Sequence, residues 1–196
     1  MLIWINGPFG VGKTQVAHEL EHRLPGSFVC DPEQLGFALR RMTPPTRRGD
    51  FQDLPLWRRG VREFLSGLVE DHDGHVIVPM TLINPDYHDE IVGGLRRNHP
   101  NLRHVTLLTS EQSLLRRIRY RGEGRASFAA GQARRCLDVL STPQFDVHVD
   151  TEHQTIAEVA EDIAEHCGLR LSDSAEHPVR RAVRRVGVQL RHVRFD

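Results

Sequence analysis

Lysine is almost missing from this chain. Of 26 basic residues 25 are arginine, and the one lysine is Lys13. Net charge is missing too: 26 acidic residues balance the basic ones, so no whole-molecule field draws the protein to nucleic acid, and any basic surface must be local. The three cysteines, Cys30, Cys136 and Cys167, are far apart and form no CxxC pair. That excludes a disulfide framework and a structural zinc site, and suits reduced thiols in a cytoplasmic protein. Long apolar runs are absent as well. The longest, VIVPMTLI, falls far short of the roughly 20 residues of a spanning helix, and the first residues lack the basic and apolar regions of a signal peptide. What remains, 39% hydrophobic and 27% charged over 196 residues, describes one ordinary globular domain with a real core.

Short apolar runs alternate with amphipathic stretches. Strands are expected at LIWIN (2–6), SFVC (27–30), HVIVP (75–79), RHVTLLT (103–109) and FDVHVD (145–150). Helices are expected over 13–24, 32–42, 56–70, 85–97, 111–121, 126–140 and 155–167. This alternation predicts an α/β fold: a parallel sheet covered by helices on both faces. TPPTRRGDFQDLP (43–55) reads as a mobile excursion, extending to about residue 62 on the substrate side. RYRGEGRAS (119–127) reads as an exposed loop within a lid of about 113–130. The core domain is expected to span 1–171, followed by a basic amphipathic helix in 172–196.

The lone lysine lies in GPFGVGKT. Gly7, Gly12, Lys13 and Thr14 fit GxxxxGK[ST] at every fixed position, after an expected strand and at the start of an expected helix. Glycines let successive amides face a phosphate chain, and the helix N-terminus adds its positive dipole end. Gly7, Phe9, Gly10, Val11, Gly12, Lys13, Thr14 and Gln15 are therefore the expected ATP contacts, with the Thr14 hydroxyl on Mg²⁺. The bland alternative is a glycine turn without a ligand. A second motif overlaps the next turns: His18-Glu19-Leu20-Glu21-His22 matches HExxH. Its histidines fall opposite the apolar stripe of Val16, Ala17, Leu20 and Leu24, so they should face solvent rather than hold zinc.

Two features favour phosphoryl transfer over nucleotide binding alone. Asp31, after the second expected strand, lies where the ends of strands 1 and 2 open onto one crevice, and could take the proton of an attacking hydroxyl. It is equally suited to cap the next helix. Arg116, Arg117, Arg119, Arg121 and Arg125 surround the 119–127 loop. Arg117 and Arg121, four apart, share a helix face and are the candidates for stabilising the transferring phosphoryl; a solvated basic face is the alternative. An acid is lacking at the end of the third strand, which reads HVIVPMT. Asp31, or Thr81 through water, would have to support the metal. A GTPase is excluded by the missing DxxG and NKxD elements.

WINGPFGVGKTQ, CDPEQLGFALR, FQDLPLW, VPMTLINPDY, LSTPQFDVHVDT and RHVRFD resemble, nearly end to end, the bacterial tunicamycin-resistance ATP-binding proteins. More distantly the layout is similar to shikimate kinases and chloramphenicol phosphotransferases. The resemblance implies a three-layer P-loop NTPase or nucleotide-kinase-like fold with five parallel strands in the order 2-3-1-4-5. It implies ATP and Mg²⁺ as cofactors, a nucleoside-like small-molecule substrate and no nucleic acid. Lys13, Asp31, Arg117 and Arg121 would be catalytic, with Asp31 as base. Three readings stay open: a kinase acting on a drug hydroxyl, a protein that sequesters the drug with ATP but without turnover, and a kinase for another metabolite.

For the acceptor, Asp31, Phe37, Arg40, Trp57, Met80 and Thr81 are the candidates, with Trp57 stacking on a base. Core packing is the alternative for Phe37, Trp57 and Met80. In HPVRRAVRRVGVQLRHVRFD, Val179, Val183, Val186, Leu190 and Val193 fall within about 80° of arc, with arginines opposite. Docking on the domain and contact with anionic lipid through residues 178–194 are both consistent with that pattern.

Overall fold

The computed structural model of the chain describes residues 1–122, 124, 127–145 and 147–172. Five parallel strands form one sheet in the order β2-β3-β1-β4-β5: β1 (Leu2–Asn6), β2 (Phe28–Val29), β3 (Val76–Pro79), β4 (Arg103–Leu108) and β5 (His148–Asp150). β1 sits at the centre, with Ile5 opposite Pro79 of β3 and Val105 of β4. The expected strand order is therefore the observed one.

Alternation along β1 makes two cores. Ile3 and Ile5 point into one, with α1 (Lys13–Arg23), α6 (Glu111–Tyr120), α7 (Phe128–Leu140) and α8 (Ile156–Cys167) above them. Leu2 and Trp4 point into the other, covered by α3 (Pro55–Asp71) and the helix built from α4 (Pro85–His88), a π-helical turn (Asp89–Gly93) and α5 (Gly94–Asn98). Side chains two apart share a face, so a single strand feeds both layers. α2 (Glu33–Met42) packs beside α3. A third, small cluster joins Cys136 and Leu140 to Phe145.

Several expected elements shift. The fifth strand was expected to begin at Phe145, but Pro143–Phe145 forms a 3₁₀ turn. Phe145 is buried there, and the strand starts only at His148. Proline at the head of that turn offers no amide to a ladder, which suits a turn better than a strand. The 85–97 helix carries a π turn in its middle. Within the segment expected to be a mobile excursion, residues 44–50 are exposed and the stretch that follows is anchored: Phe51 packs edge-on to Phe37 and tilted on Trp57. Gln52 Nε2 donates to the Thr81 carbonyl at 3.0 Å, and Arg58 donates to the Gln52 carbonyl at 2.6 Å. Among the described residues no helix is long and apolar enough to cross a membrane. The C-terminal amphipathic helix expected within 172–196 lies, but for Ser172, outside the described residues.

Candidate phosphate-transfer site

The last residue of β1 anchors the phosphate loop. Asn6 Oδ1 accepts from the Gly7 amide at 2.8 Å and the Leu82 amide at 3.0 Å, while Asn6 Nδ2 donates to the Leu82 carbonyl at 2.9 Å. Thr81 Oγ1 donates to the Gly7 carbonyl at 2.9 Å. The loop and the end of β1 are thus tied to the residues after β3 by three buried hydrogen bonds. Two glycines are required by space as well as by conformation. Gly7 has φ 144°, and a Cβ there would lie 2.7 Å from the Leu107 carbonyl oxygen. Gly10 has φ 87°, and a Cβ would lie 2.7 Å from the side chain of Ile118 on α6. Both combine a left-handed backbone with contact closer than a side chain tolerates.

α1 starts on Gly12 with no side-chain cap and no acidic residue in its first turn. The first amides of a helix have no partner inside it, and they carry the positive end of its dipole. An anion is what this end is built to accept. Lys13 completes the cradle. Its Nζ donates to the carbonyls of Gly7 and Pro8, both at 2.9 Å, and the residue is 8% exposed. Burial lowers its pKa to about 8; Glu33 pulls it back up, Arg121 pushes it further down, and Cys136 and Asp31 raise it. The ammonium is therefore a desolvated cation, held in place and ready to exchange carbonyls for phosphate oxygens. The Phe9 ring centroid lies 5.8 Å from that nitrogen and packs edge-on to Phe128.

Asp31, Glu33 and Arg121 lie within electrostatic reach of Lys13. Asp31 caps α2: its Oδ1 accepts from the Glu33 amide at 3.0 Å, and its carbonyl from the Gln34 amide at 3.2 Å. The residue is half-buried. Capping and proximity to the phosphate cradle thus coexist in one carboxylate. Glu33 was missed in the sequence, although its position two residues after Asp31, in the first turn of the same helix, is the signal for it. Thr14, in the first turn of α1, is half-buried and offers a hydroxyl next to Lys13 in the sequence. Oxygen donors of this kind fit Mg²⁺ shared with phosphate. Among the described residues no group of three or more His, Cys, Asp or Glu side chains is placed to hold a metal. His18, in the HExxH match, instead pairs with Glu21 at 2.9 Å, and His22 is exposed.

Four acceptor candidates are placed differently from the expectation. Trp57 is 0% exposed; its Nε1 donates to the Pro32 carbonyl at 3.1 Å, and its ring lies in the core with Val61 and Leu65. A ring with no free face does not stack on a base, so Trp57 supports the acceptor side from behind. Met80, also 0% exposed, belongs to the same core. Thr81 is buried, its hydroxyl given to Gly7 and its carbonyl to Gln52. It links the 50–53 turn to the phosphate loop rather than lining a pocket. Phe37 packs edge-on to Phe51. Arg40 is half-buried in the last turn of α2.

Arg117 also changes role. Its guanidinium donates to the Thr151 hydroxyl at 2.8 Å, the Thr151 carbonyl at 2.6 Å and the Val11 carbonyl at 3.2 Å. It braces α6 between the phosphate loop and the segment after β5. Arg121, just past α6, is exposed and within the electrostatic reach of Lys13. Of the two arginines, Arg117 is held in these contacts and Arg121 is the exposed one. Arg125 lies outside the described residues.

Sheet order, loop and buried lysine together define a P-loop protein with the architecture of the small-molecule kinases, a fold that implies nucleotide binding. Residues 2–143 match the family described as an AAA domain. The Deinococcus radiodurans tunicamycin resistance protein is 36% identical, with a TM-score of 0.75 over 88% of this chain and 98% of that one. The chain belongs to that AAA-domain family and, within it, to the bacterial tunicamycin-resistance proteins. A gluconokinase from Sinorhizobium meliloti 1021 shares the fold at 23% identity and TM-score 0.60, over 85% of this chain and 90% of its own. A shikimate kinase from Bacteroides thetaiotaomicron does so at 17% identity and TM-score 0.56, over 86% and 99%. No curated protein matches the sequence.

Proposed function

We propose that the protein is an ATP-dependent phosphotransferase that protects a cell from tunicamycin by phosphorylating a hydroxyl of that nucleoside antibiotic. One observation carries this reading: Lys13, buried with its ammonium held on the Gly7 and Pro8 carbonyls, has Asp31, Glu33 and Arg121 within its electrostatic reach. Phosphoryl transfer uses groups of these kinds: a cation on the donor phosphates, a carboxylate as base and a second cation to offset charge.

The residues divide the chemistry as follows. Loop amides and Lys13 bind and orient the polyphosphate. Asp31 accepts the proton of the acceptor hydroxyl as its oxygen bonds to the terminal phosphorus and the bond to the leaving ADP oxygen breaks. Arg121 offsets negative charge on the transferring group. Thr14, with Asp31 or Glu33 in support, would hold Mg²⁺, which when bound would supply neutralisation of phosphate charge. The work is expected to take place in the cytoplasm; contact with a membrane through residues 178–194 is a further proposal.

A second reading, binding of the drug with ATP but without turnover, has its own observation. β3 ends in Pro79-Met80-Thr81, which supplies no carboxylate, and the Thr81 hydroxyl is engaged by Gly7. Incubation of the protein with ATP, Mg²⁺ and tunicamycin, followed by mass spectrometry of the drug, separates the two. Transfer adds one phosphate, and the addition is lost in Lys13→Ala and Asp31→Asn. Unmodified drug recovered from a tight complex supports sequestration instead. Drug neither altered nor bound leaves a kinase for another metabolite.

A further inference from the structure

Outside the cleft, the most heavily bonded carboxylate belongs to Glu152, which follows β5. One of its oxygens accepts from the Thr109 hydroxyl at 2.7 Å and the Ser110 amide at 2.8 Å, and the other accepts from the Ser113 hydroxyl. All three donors lie at the start of α6. The carboxyl is held far below the usual carboxylate range, first by Ser113, then by Thr109 and Ser110. Glu152 does not dangle from a loose loop. Its own amide donates to Asp150 at 2.9 Å. The neighbouring Thr151 is fixed to the Leu108 carbonyl through its amide at 2.8 Å and its hydroxyl at 3.0 Å.

The helix returns the grip. Arg117, two turns along α6, holds Thr151, the residue beside Glu152, and reaches Val11 of the phosphate loop. Two attachments about seven residues apart fix both the position and the tilt of a rigid helix, which rises about 1.5 Å per residue. The free end of that helix delivers Arg121. Besides the Arg117 hydrogen bond to Val11, α6 meets the loop through the apolar Leu114 and Ile118 beside Gly10, contacts that do not involve Glu152.

We infer that Glu152 is a positioning residue for phosphoryl transfer: by clasping the start of α6 to the rim of the sheet, it sets where Arg121 meets the terminal phosphate. The inference rests on the phosphate-transfer reading of the site. It assigns a task to a carboxylate that touches neither nucleotide nor acceptor.

The test is the ratio of ADP to ATP dissociation constants, measured by calorimetry on the full chain. Glu152→Gln keeps the shape but cannot accept from three donors at once. It is expected to leave ADP binding within about threefold and to lower the preference for ATP about tenfold. In an Arg121→Ala background the same substitution should change the preference no further. Glu158→Gln is the control. Glu158 is a comparable carboxylate hydrogen-bonded at a helix start, that of α8; its loss should lower Tm and leave the preference intact. Ser113→Ala removes one donor, is expected to act in the same direction, and serves where Glu152→Gln does not fold. The inference is overturned by an unchanged preference, an equal loss for both nucleotides, or an undiminished effect in the Arg121→Ala background. Those results leave the phosphate-loop reading standing, whereas a wild-type protein with no affinity for either nucleotide removes both.

Discussion

α1 and α8 lie against each other, yet they begin in opposite ways. α8 is finished by its own residues: the Thr155 hydroxyl accepts from the Glu158 amide and the Glu158 carboxylate accepts from the Thr155 amide, a closed capping box. α1 has no such closure. Its cap is a glycine, its first turn lacks an acid, and a buried ammonium is parked on the loop's own carbonyls. A helix start that satisfies itself is structural. One left open, with a cation stored beside it, is arranged for an anion from outside. The same contrast separates the two halves of the cleft. On the phosphate side each key residue is forced by local geometry. On the acceptor side Trp57, Met80 and Thr81 have been drawn into packing, while Asp31, Phe37 and Arg40 stay half-buried.

Substitutions at the two helix starts and on the two sides of the cleft should differ accordingly. The largest effect is expected from Lys13→Ala, which removes two or more charge-assisted hydrogen bonds to phosphate and should weaken ATP binding on the order of a hundredfold by calorimetry. Gly10→Ala comes next. It forces an L side chain into φ 87° against Ile118 and should cost about 2–3 kcal/mol in denaturant unfolding as well as most nucleotide affinity. Gly60→Ala on α3, where a Cβ would meet Leu35 at an ordinary 3.5 Å, should be neutral or stabilising by about 0.5–1 kcal/mol. Equal costs at the two glycines would erase the contrast.

The pH dependence of binding has a definite sign. Free Lys13 titrates at about 8, lowered by burial, and bound phosphate favours the ammonium and raises that value. Binding therefore takes up a proton above pH 8 and none below it. ATP affinity should be flat from pH 6.5 to 7.5 and then fall, by up to about tenfold per pH unit, through pH 9. Affinity that rises with pH would contradict a buried cation as the phosphate ligand.

Smaller effects sharpen the other half. Trp57→Phe loses the hydrogen bond to Pro32 and some core volume. It should lower stability by about 1–2 kcal/mol, seen as a Tm shift of a few degrees, without changing ATP affinity. Thr155→Ala opens the box on α8 at a cost of about 1 kcal/mol and should leave nucleotide binding untouched. A loss of affinity there would mean that the two helix starts are not independent.

How much of this was readable follows from the range of each constraint. The phosphate loop was legible because its glycines, lysine and following helix lie within eight residues, and each is demanded by a local turn. Asp31 was legible as a cap for the same reason, and strand order is what suggests a second role for it in the cleft. Trp57 was open to two readings, ligand or core, because it follows a polar, proline-rich stretch. Its spacing from Val61 and Leu65, four and eight residues on, marked one helix face and was the better clue to the core. Arg117 was correctly set apart, but its partners Val11 and Thr151 are distant in sequence, so bracing was indistinguishable from a lid role. Glu152 gave no signal, since its donors lie some forty residues upstream and meet it only when β4 and β5 pair.

The central claim is that the open start of α1 and the carboxylate of Asp31 serve one transfer. Phosphorus NMR of ATP, Mg²⁺ and tunicamycin with the protein tests it most directly. Wild type should convert ATP to ADP only when drug is present, with a new phosphate-monoester resonance growing in equal amount, and Asp31→Asn should bind ATP but produce neither signal. ADP released with no monoester, or an Asp31→Asn protein as active as wild type, would contradict it.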